Sequence, residues 1–243
     1  MILTAHQPVY LPWLGLFHKI ALADTFVSFN QVQYLPKEWN NRNMIKTVTG
    51  NAWLTVPVLK KGHREKTISE IQINNDIPWQ RKHWKSIYLN YKKASYFMKY
   101  ADFFEEVYKK EWSKLSDLND YMLKHFLKIL GIKVGFTNAA NFDFQGKKSD
   151  LVLDMCKKLR ADVYIFGSLG RDYANVDTFR KEDINVLFQE FKHPIYPQLH
   201  GKFISHLSIV DLLFNCGERS LEILMEGNVG KDKLMLSSSL RSL

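Results

Sequence analysis

Ile2-Leu3-Thr4-Ala5-His6-Gln7-Pro8-Val9-Tyr10-Leu11-Pro12-Trp13-Leu14-Gly15 opens the chain, and its passage from apolar to polar and back decides the fold. Ile2 to Ala5 reads as a short buried strand. Pro8 and Pro12 fix the backbone that follows, so the next stretch is a stiff loop and not more strand. From Leu14 onward the stripe Leu14, Phe17 and Ala21, widened by Leu16, Ile20 and Ala23, predicts a largely buried helix. Ala23-Asp24 marks a turn, and Thr25-Phe26-Val27-Ser28-Phe29 reads as a second strand. Strand, crossover helix and strand make a parallel unit. The expected class is therefore α/β, with a mainly parallel sheet, flanking helices and a helical insertion. Open sheets of this kind bind ligands beyond the carboxyl ends of their strands. That is where His6, Gln7, Tyr10 and Trp13 fall.

Working outward, the pattern divides the chain into an α/β half over 1–76, a helical insertion over 77–131 and a second α/β half over 132–243. Trp53 to Val58 and Thr67 to Ile73 read as strands around a basic connection turned at Gly62. Pro78 suits the first turn of a helix. Trp79, His83, Ile87 and Tyr91 recur at every fourth position and give that helix one face. Further helices are expected over Ser95 to Lys109 and Ser116 to Leu130, the last ended by Gly131. In the second half Ser149 is placed as the cap of a helix carrying Leu151, Met155 and Leu159. Ala161 to Phe166 and Ile184 to Phe191 are expected strands. Leu207 to Asn215 is an expected helix closed at Gly217, and Ser237-Ser238-Ser239 an expected frayed tail.

The 243 residues carry a formal charge of +9 and 46% hydrophobic residues, as expected of a soluble globular protein. A basic surface attracts anions such as phosphorylated small molecules. No recognition helix, RNP-like or zinc-finger pattern points to nucleic acid. No apolar run reaches the roughly 18–20 residues that span a bilayer, and the amino terminus turns polar within about six residues. Cytoplasmic location without stable membrane insertion is the expectation. Cys156 and Cys216 fit neither a disulfide framework nor a metal site, and the histidines lack paired metal-ligand spacing. No metal is expected, and no permanently bound cofactor.

Several side chains carry chemistry. His6, a group that titrates near neutral pH, is the candidate acid or base; a histidine satisfied by backbone is the competing reading. Gln7 offers an amide donor and acceptor. Tyr10 and Trp13 can stack on a sugar or base. Asn41 and Arg42 lie in a polar run, Asn40 to Asn43, that the pattern leaves exposed; Arg42 could clamp a phosphate or carboxylate. Gly167-Ser168-Leu169-Gly170 directly follows a strand and reads as an anion nest or a tight turn. Asp211 interrupts an apolar helix and needs a partner, for which Arg42, Lys19 or a histidine is available. Tyr196 and Gln198, framed by Pro194 and Pro197, form a second stiff polar loop.

Taken jointly, these blocks resemble the WbqC-like family. They comprise His6-Gln7-Pro8-x-Tyr10-Leu11-Pro12-Trp13-x-Gly15 with Lys19 and Ala23-Asp24, then Val32-Gln33-Tyr34, Asn41-Arg42-Asn43 and Trp53 to Pro57. Later come Tyr164 to Gly167, Gly170 with Tyr173, Phe179, Tyr196-x-Gln198, Phe203, and Leu207 to Asn215 with Gly217. Asn30 departs from the acidic residue expected after the second strand. The resemblance implies a bacterial protein of surface-polysaccharide gene clusters, such as those for O-antigen. It implies transfer of an acyl or aminoacyl group, from a donor not named by the sequence, to the amine of a nucleotide-linked amino sugar. His6, Gln7, Arg42 and Asp211 are then the catalytic candidates. Tyr10, Trp13, Lys19, Asn41, Gly167, Gly170, Tyr173, Tyr196 and Gln198 are the substrate-binding ones. A looser likeness to HIGH-motif nucleotidyltransferases, with His6 and His18 on a phosphate, is one alternative. A non-catalytic carbohydrate-binding assembly protein is another.

Overall fold

The apolar run Ile2 to Ala5 can only be satisfied between other strands, and that is where it lies. In the computed structural model, which describes residues 1–234, β1 (Ile2–His6) is the central strand of a five-stranded sheet. It pairs in parallel with β2 (Thr25–Ser28) on one side and β6 (Val163–Phe166) on the other. β5 (Gly135–Asn138) and β7 (Asn185–Phe188) complete the sheet as parallel edges. The order is β5-β2-β1-β6-β7.

Alternation along the strands sends side chains to two covered faces. Leu3, Ala5, Val27, Tyr164 and Phe166 pack under α5 (Lys148–Leu159) and α6 (Val176–Arg180). Ile2, Val163 and Ile165 pack with Leu22, which caps α1 (Leu14–Ala21), and with Met225, which ends α8 (Ser220–Met225). The opening strand–loop–helix–strand reading and the parallel sheet are thus observed.

Between β2 and β5 the chain builds a hairpin and a helical block. β3 (Arg42–Thr47) and β4 (Gly50–Thr55) pair antiparallel. α2 (Trp79–Tyr91), α3 (Phe97–Lys109) and α4 (Leu115–Ile129) follow. α7 (Ile209–Cys216) shares their core, through Leu212, Leu213 and Phe214. Gly217 ends α7 at φ 56°, and a Cβ there would stand 2.2 Å from the Tyr96 ring.

Four expectations are corrected. Thr67 to Ile73 meets Trp53 to Val58 only at the isolated antiparallel bridge between Val58 and Ile73: a 3-10 turn over Ile68–Glu70 takes the place of a strand, and the ladder partner of β4 is β3. Glu70 closes that turn back onto the Thr67 amide, a local bond that competes with any ladder. Ser149 does not cap α5; its Oγ accepts from the Asn175 amide at 2.9 Å. Asn40, Asn41 and Asn43 are buried, not exposed, because their amides serve backbone carbonyls. The strand expected over Ile184 to Phe191 is confined to Asn185–Phe188. Ser237 to Ser239 lie outside the described residues. Among the described residues no helix is long and apolar enough to cross a membrane.

Candidate functional site at the strand-order reversal

From β1 the chain steps outward through β2 to β5, then returns to β6 on the other side of β1. The direction of winding reverses between β1 and β6. In open α/β sheets such a reversal is where ligands bind, beyond the carboxyl ends of the strands. His6 is the last residue of β1, and the β1–β6 register carries it alongside Gly167.

His6 is half-buried, and its Nδ1 lies 2.8 Å from the Gln7 carbonyl oxygen. A carbonyl can only accept, so Nδ1 carries the proton and Nε2 presents its lone pair. Trp13 meets the imidazole edge-on at 5.3 Å between centroids. Burial, together with the Lys19 charge, lowers the His6 pKa to about 3. Lys19 reaches up from α1, is 4% exposed and donates to the Ala5 carbonyl at 3.0 Å. Burial lowers its pKa to about 8. A Cβ on Gly167 would stand 3.9 Å from Lys19 Nζ. His6, Lys19 and Gly167 therefore share one corner: a neutral imidazole beside a cation that makes no ion pair among the described residues. Lys19→Met removes one of the two causes that depress His6. Its pKa is expected to rise from about 3 while staying below the ordinary histidine value, read by NMR titration of the imidazole Cε1 proton.

The loop after His6 is held from several sides. Asn40 Nδ2 donates to Gln7 Oε1 at 3.2 Å and to the Pro8 carbonyl at 2.9 Å. This leaves the Gln7 amide nitrogen without a protein partner among the described residues. Leu11 is buried with φ 46°, a left-handed conformation that costs a non-glycine residue about 1–3 kcal/mol. Asn43 Nδ2 pins its carbonyl at 2.6 Å. Asn43→Ala is expected to destabilise the fold by about 1–3 kcal/mol, the cost of an unpaired buried carbonyl, in urea unfolding.

Tyr10 does not reach the surface. It is fully buried, with its hydroxyl 2.8 Å from His83 Nδ1 and 2.5 Å from the Tyr108 hydroxyl. Neither ring face is open to a ligand, and the tyrosine anchors the loop to the helical block. His18 is also committed: its ring nitrogens lie 2.9 Å from Gln189 Nε2 and 3.1 Å from the Val229 carbonyl oxygen. Gly170 is a packing requirement, since a Cβ there would stand 2.5 Å from Phe166 Cβ. Its amide closes onto the Gly167 carbonyl at 2.9 Å. Tyr173 is exposed beside Phe166, with 5.8 Å between ring centroids.

Arg42 is half-buried, donates to the Lys37 carbonyl and lies 4.4 Å over the Trp53 ring. Asn41 is turned inward to the Val56 carbonyl at 2.8 Å. Asp211 is fully buried in α7. It accepts from the Tyr91 hydroxyl at 2.9 Å and from Gln198 Nε2 at 2.7 Å. Lys46 Nζ, also fully buried, donates to Gln198 Oε1 at 3.0 Å. Burial raises the Asp211 pKa, and bonds from Tyr91 and Gln198 with the nearby Lys46 charge oppose that rise. The expected partners Arg42, Lys19 or histidine are thus replaced by Lys46, Tyr91 and Gln198. Tyr196 and Gln198 belong to this buried cluster. It borders the His6 loop through the Ile209 amide, which donates to the Pro12 carbonyl at 2.8 Å.

Sequence reasoning missed Trp39, Trp53 and Asp120. Asp120 on α4 accepts from Ser28 Oγ at 2.6 Å and Asn138 Nδ2 at 3.0 Å, at the carboxyl ends of β2 and β5. Burial raises its pKa to about 6. The signal was present: Ser116, Asn119 and Asp120 are polar residues on the inward side of a helix. A raised carboxyl pKa favours the folded state at low pH, and that contribution fades as pH climbs from about 4 to about 6. Relative to Asp120→Asn, the native chain should lose at most about 1.4 kcal/mol per pH unit over that range, measured by urea unfolding of both proteins.

A family model described as the WbqC-like protein family matches residues 7–223. The chain is 34% identical over 220 residues to the protein described as Uncharacterized protein Rv1507c of Mycobacterium tuberculosis, an alignment covering 90% of this chain and 95% of that one. No solved structure gives a significant match.

Proposed function

The chain belongs to the WbqC-like protein family, and we propose that it transfers an acyl or aminoacyl group to the amine of a nucleotide-linked amino sugar during surface-polysaccharide assembly. The observation that carries this reading is the His6 corner. An imidazole with Nδ1 bonded to a carbonyl and Nε2 bearing a lone pair is arranged to accept a proton. The acceptor amine attacks the donor carbonyl carbon. The C–N bond forms, the bond from that carbon to the donor's leaving group breaks, and the amine proton passes to His6 Nε2 and on to the leaving group.

Lys19 supplies positive potential beside this base, suited to the diphosphate of a nucleotide sugar. A bound phosphate would offset the Lys19 charge that depresses His6 and so strengthen the base. Gln7, with a free amide nitrogen, orients the acceptor. Cytoplasm, where nucleotide sugars are made, is the location this reading requires. The placement of His18, bonded to Gln189 and Val229 and away from His6, favours acyl transfer over a paired-histidine nucleotidyl transfer.

The test is incubation with nucleotide-linked amino sugars and a panel of acyl and aminoacyl thioesters, followed by product mass. A gain equal to the acyl group supports the reading. Pyrophosphate release from a nucleoside triphosphate would support the rival instead, and saturable binding without turnover would support a non-catalytic protein.

A further inference from the structure

Three tryptophans lead outward from His6. Trp13 meets His6 at 5.3 Å, Trp39 meets Trp13 at 5.8 Å with an interplanar angle of 55°, and Trp53 meets Trp39 at 5.4 Å and 40°. Arg42 lies over the outer ring at 4.4 Å. Trp13 and Trp39 are half-buried and Trp53 is 45% exposed. Rings needed only for packing are ordinarily covered by other apolar groups. Trp13 and Trp39 pack against the core on one side, and the series runs on from the proton-accepting corner to open solvent at Trp53.

We propose that Trp13, Trp39 and Trp53, with Arg42 at the outer end, form a platform on which the pyranose ring of the substrate lies, so that its amine is delivered to His6. The inference takes its substrate class from the acyl-transfer reading above. Successive rings are turned by 40–55°, giving a curved apolar wall and not a parallel slot. A curved wall suits the C–H face of a puckered sugar better than a flat base, which seeks an offset parallel partner.

Asn40 and Asn41 donate their amides into the protein, and each leaves its buried side-chain carbonyl oxygen without a partner; Arg42 Nε is likewise unpartnered. Each such group costs about 1–3 kcal/mol when left unpaired, and native proteins seldom leave several together. These atoms are enclosed, so they are not contacts of a sugar lying on the rings; they mark the 40–42 segment, next to Trp39 in the chain, as incompletely bonded.

The test is saturation-transfer NMR with free glucosamine and galactosamine and, separately, uridine diphosphate, irradiating protein aromatic protons. The expected result is transfer to the ring C–H protons of at least one hexosamine. It should weaken by about tenfold in Trp53→Ala and be retained in Trp53→Phe, with thermal melting showing both variants folded. No transfer to either hexosamine, or transfer unchanged in Trp53→Ala, overturns the proposal. So does a Trp53-dependent signal confined to uridine diphosphate, which would assign the platform to a base. Acyl transfer measured by product mass separates the two ideas. Transfer without a platform signal sinks only the platform, and a platform signal without transfer sinks only the chemistry.

Discussion

Under the acyl-transfer proposal, replacing His6 by alanine is expected to lower turnover of the acceptor amine by about 10²–10⁴-fold, the usual cost of removing a general base, with little change in the melting midpoint. The side chain is half-buried at a strand end, and its one internal hydrogen bond is to the adjacent Gln7 carbonyl. Little packing is lost with it. Product mass from a defined donor–acceptor pair reads the effect, and near-normal turnover removes His6 from the mechanism. The pH profile adds a second check. With the His6 pKa lowered to about 3 by burial and by Lys19, the imidazole is already unprotonated throughout pH 5–8. A fall in kcat/KM on the acid side of neutrality is then not the titration of His6; measured in the Asp120→Asn background, it is expected from protonation of the acceptor amine. The acid limb should shift when the amine is changed and stay in place when Lys19 is replaced by methionine.

Asp211→Ala is expected to cost about 3–6 kcal/mol of stability, from two hydrogen bonds to a buried carboxylate at about 1.5–3 kcal/mol each. The carboxylate ties α7 to α2 through Tyr91 and to the 196–203 segment through Gln198. Lys46, fully buried on β3, completes the same cluster through Gln198 and the Lys202 carbonyl at 2.6 Å. Without the carboxylate, a buried ammonium faces an amide and main-chain carbonyls with no counter-charge. Asp211→Asn keeps the shape and one acceptor and should cost less. The measurement is urea unfolding of both variants beside turnover per folded molecule. A purely architectural carboxylate gives lost stability with unchanged turnover. Lost turnover at native stability in Asp211→Asn would place Asp211 in the chemistry.

The opening of the fold was legible because each local rule agrees with its neighbours there. Apolar residues end at His6, prolines stiffen the loop, and the stripe from Leu14 matches a buried crossover helix. The Thr67 to Ile73 segment was not legible. Its alternation suits a strand, but Glu70 bonds back to the Thr67 amide and closes a turn. The asparagines at 40, 41 and 43 read as exposed because composition cannot show that each amide meets a backbone carbonyl of the His6 loop or of the strand exit. Tyr10 had the composition of a stacking residue; its partners His83 and Tyr108 are distant in sequence and invisible to any local pattern. The convergence of Trp13, Trp39 and Trp53 depends on how the β3–β4 hairpin folds back toward the sheet. No spacing rule encodes that. The His6–Gly167 juxtaposition, by contrast, follows from parallel pairing of two strands that were both recognisable.

The Tyr10–His83–Tyr108 knot has a consequence for the order of events during synthesis. The first strand and its loop leave the ribosome early, yet the loop cannot settle until residue 108 has emerged and the helical segments have assembled around the tyrosine hydroxyl. Such long-range closure makes maturation of the His6 corner a late step. A chain truncated within the helical segments would then hold a complete copy of the amino-terminal signature without a settled His6 corner.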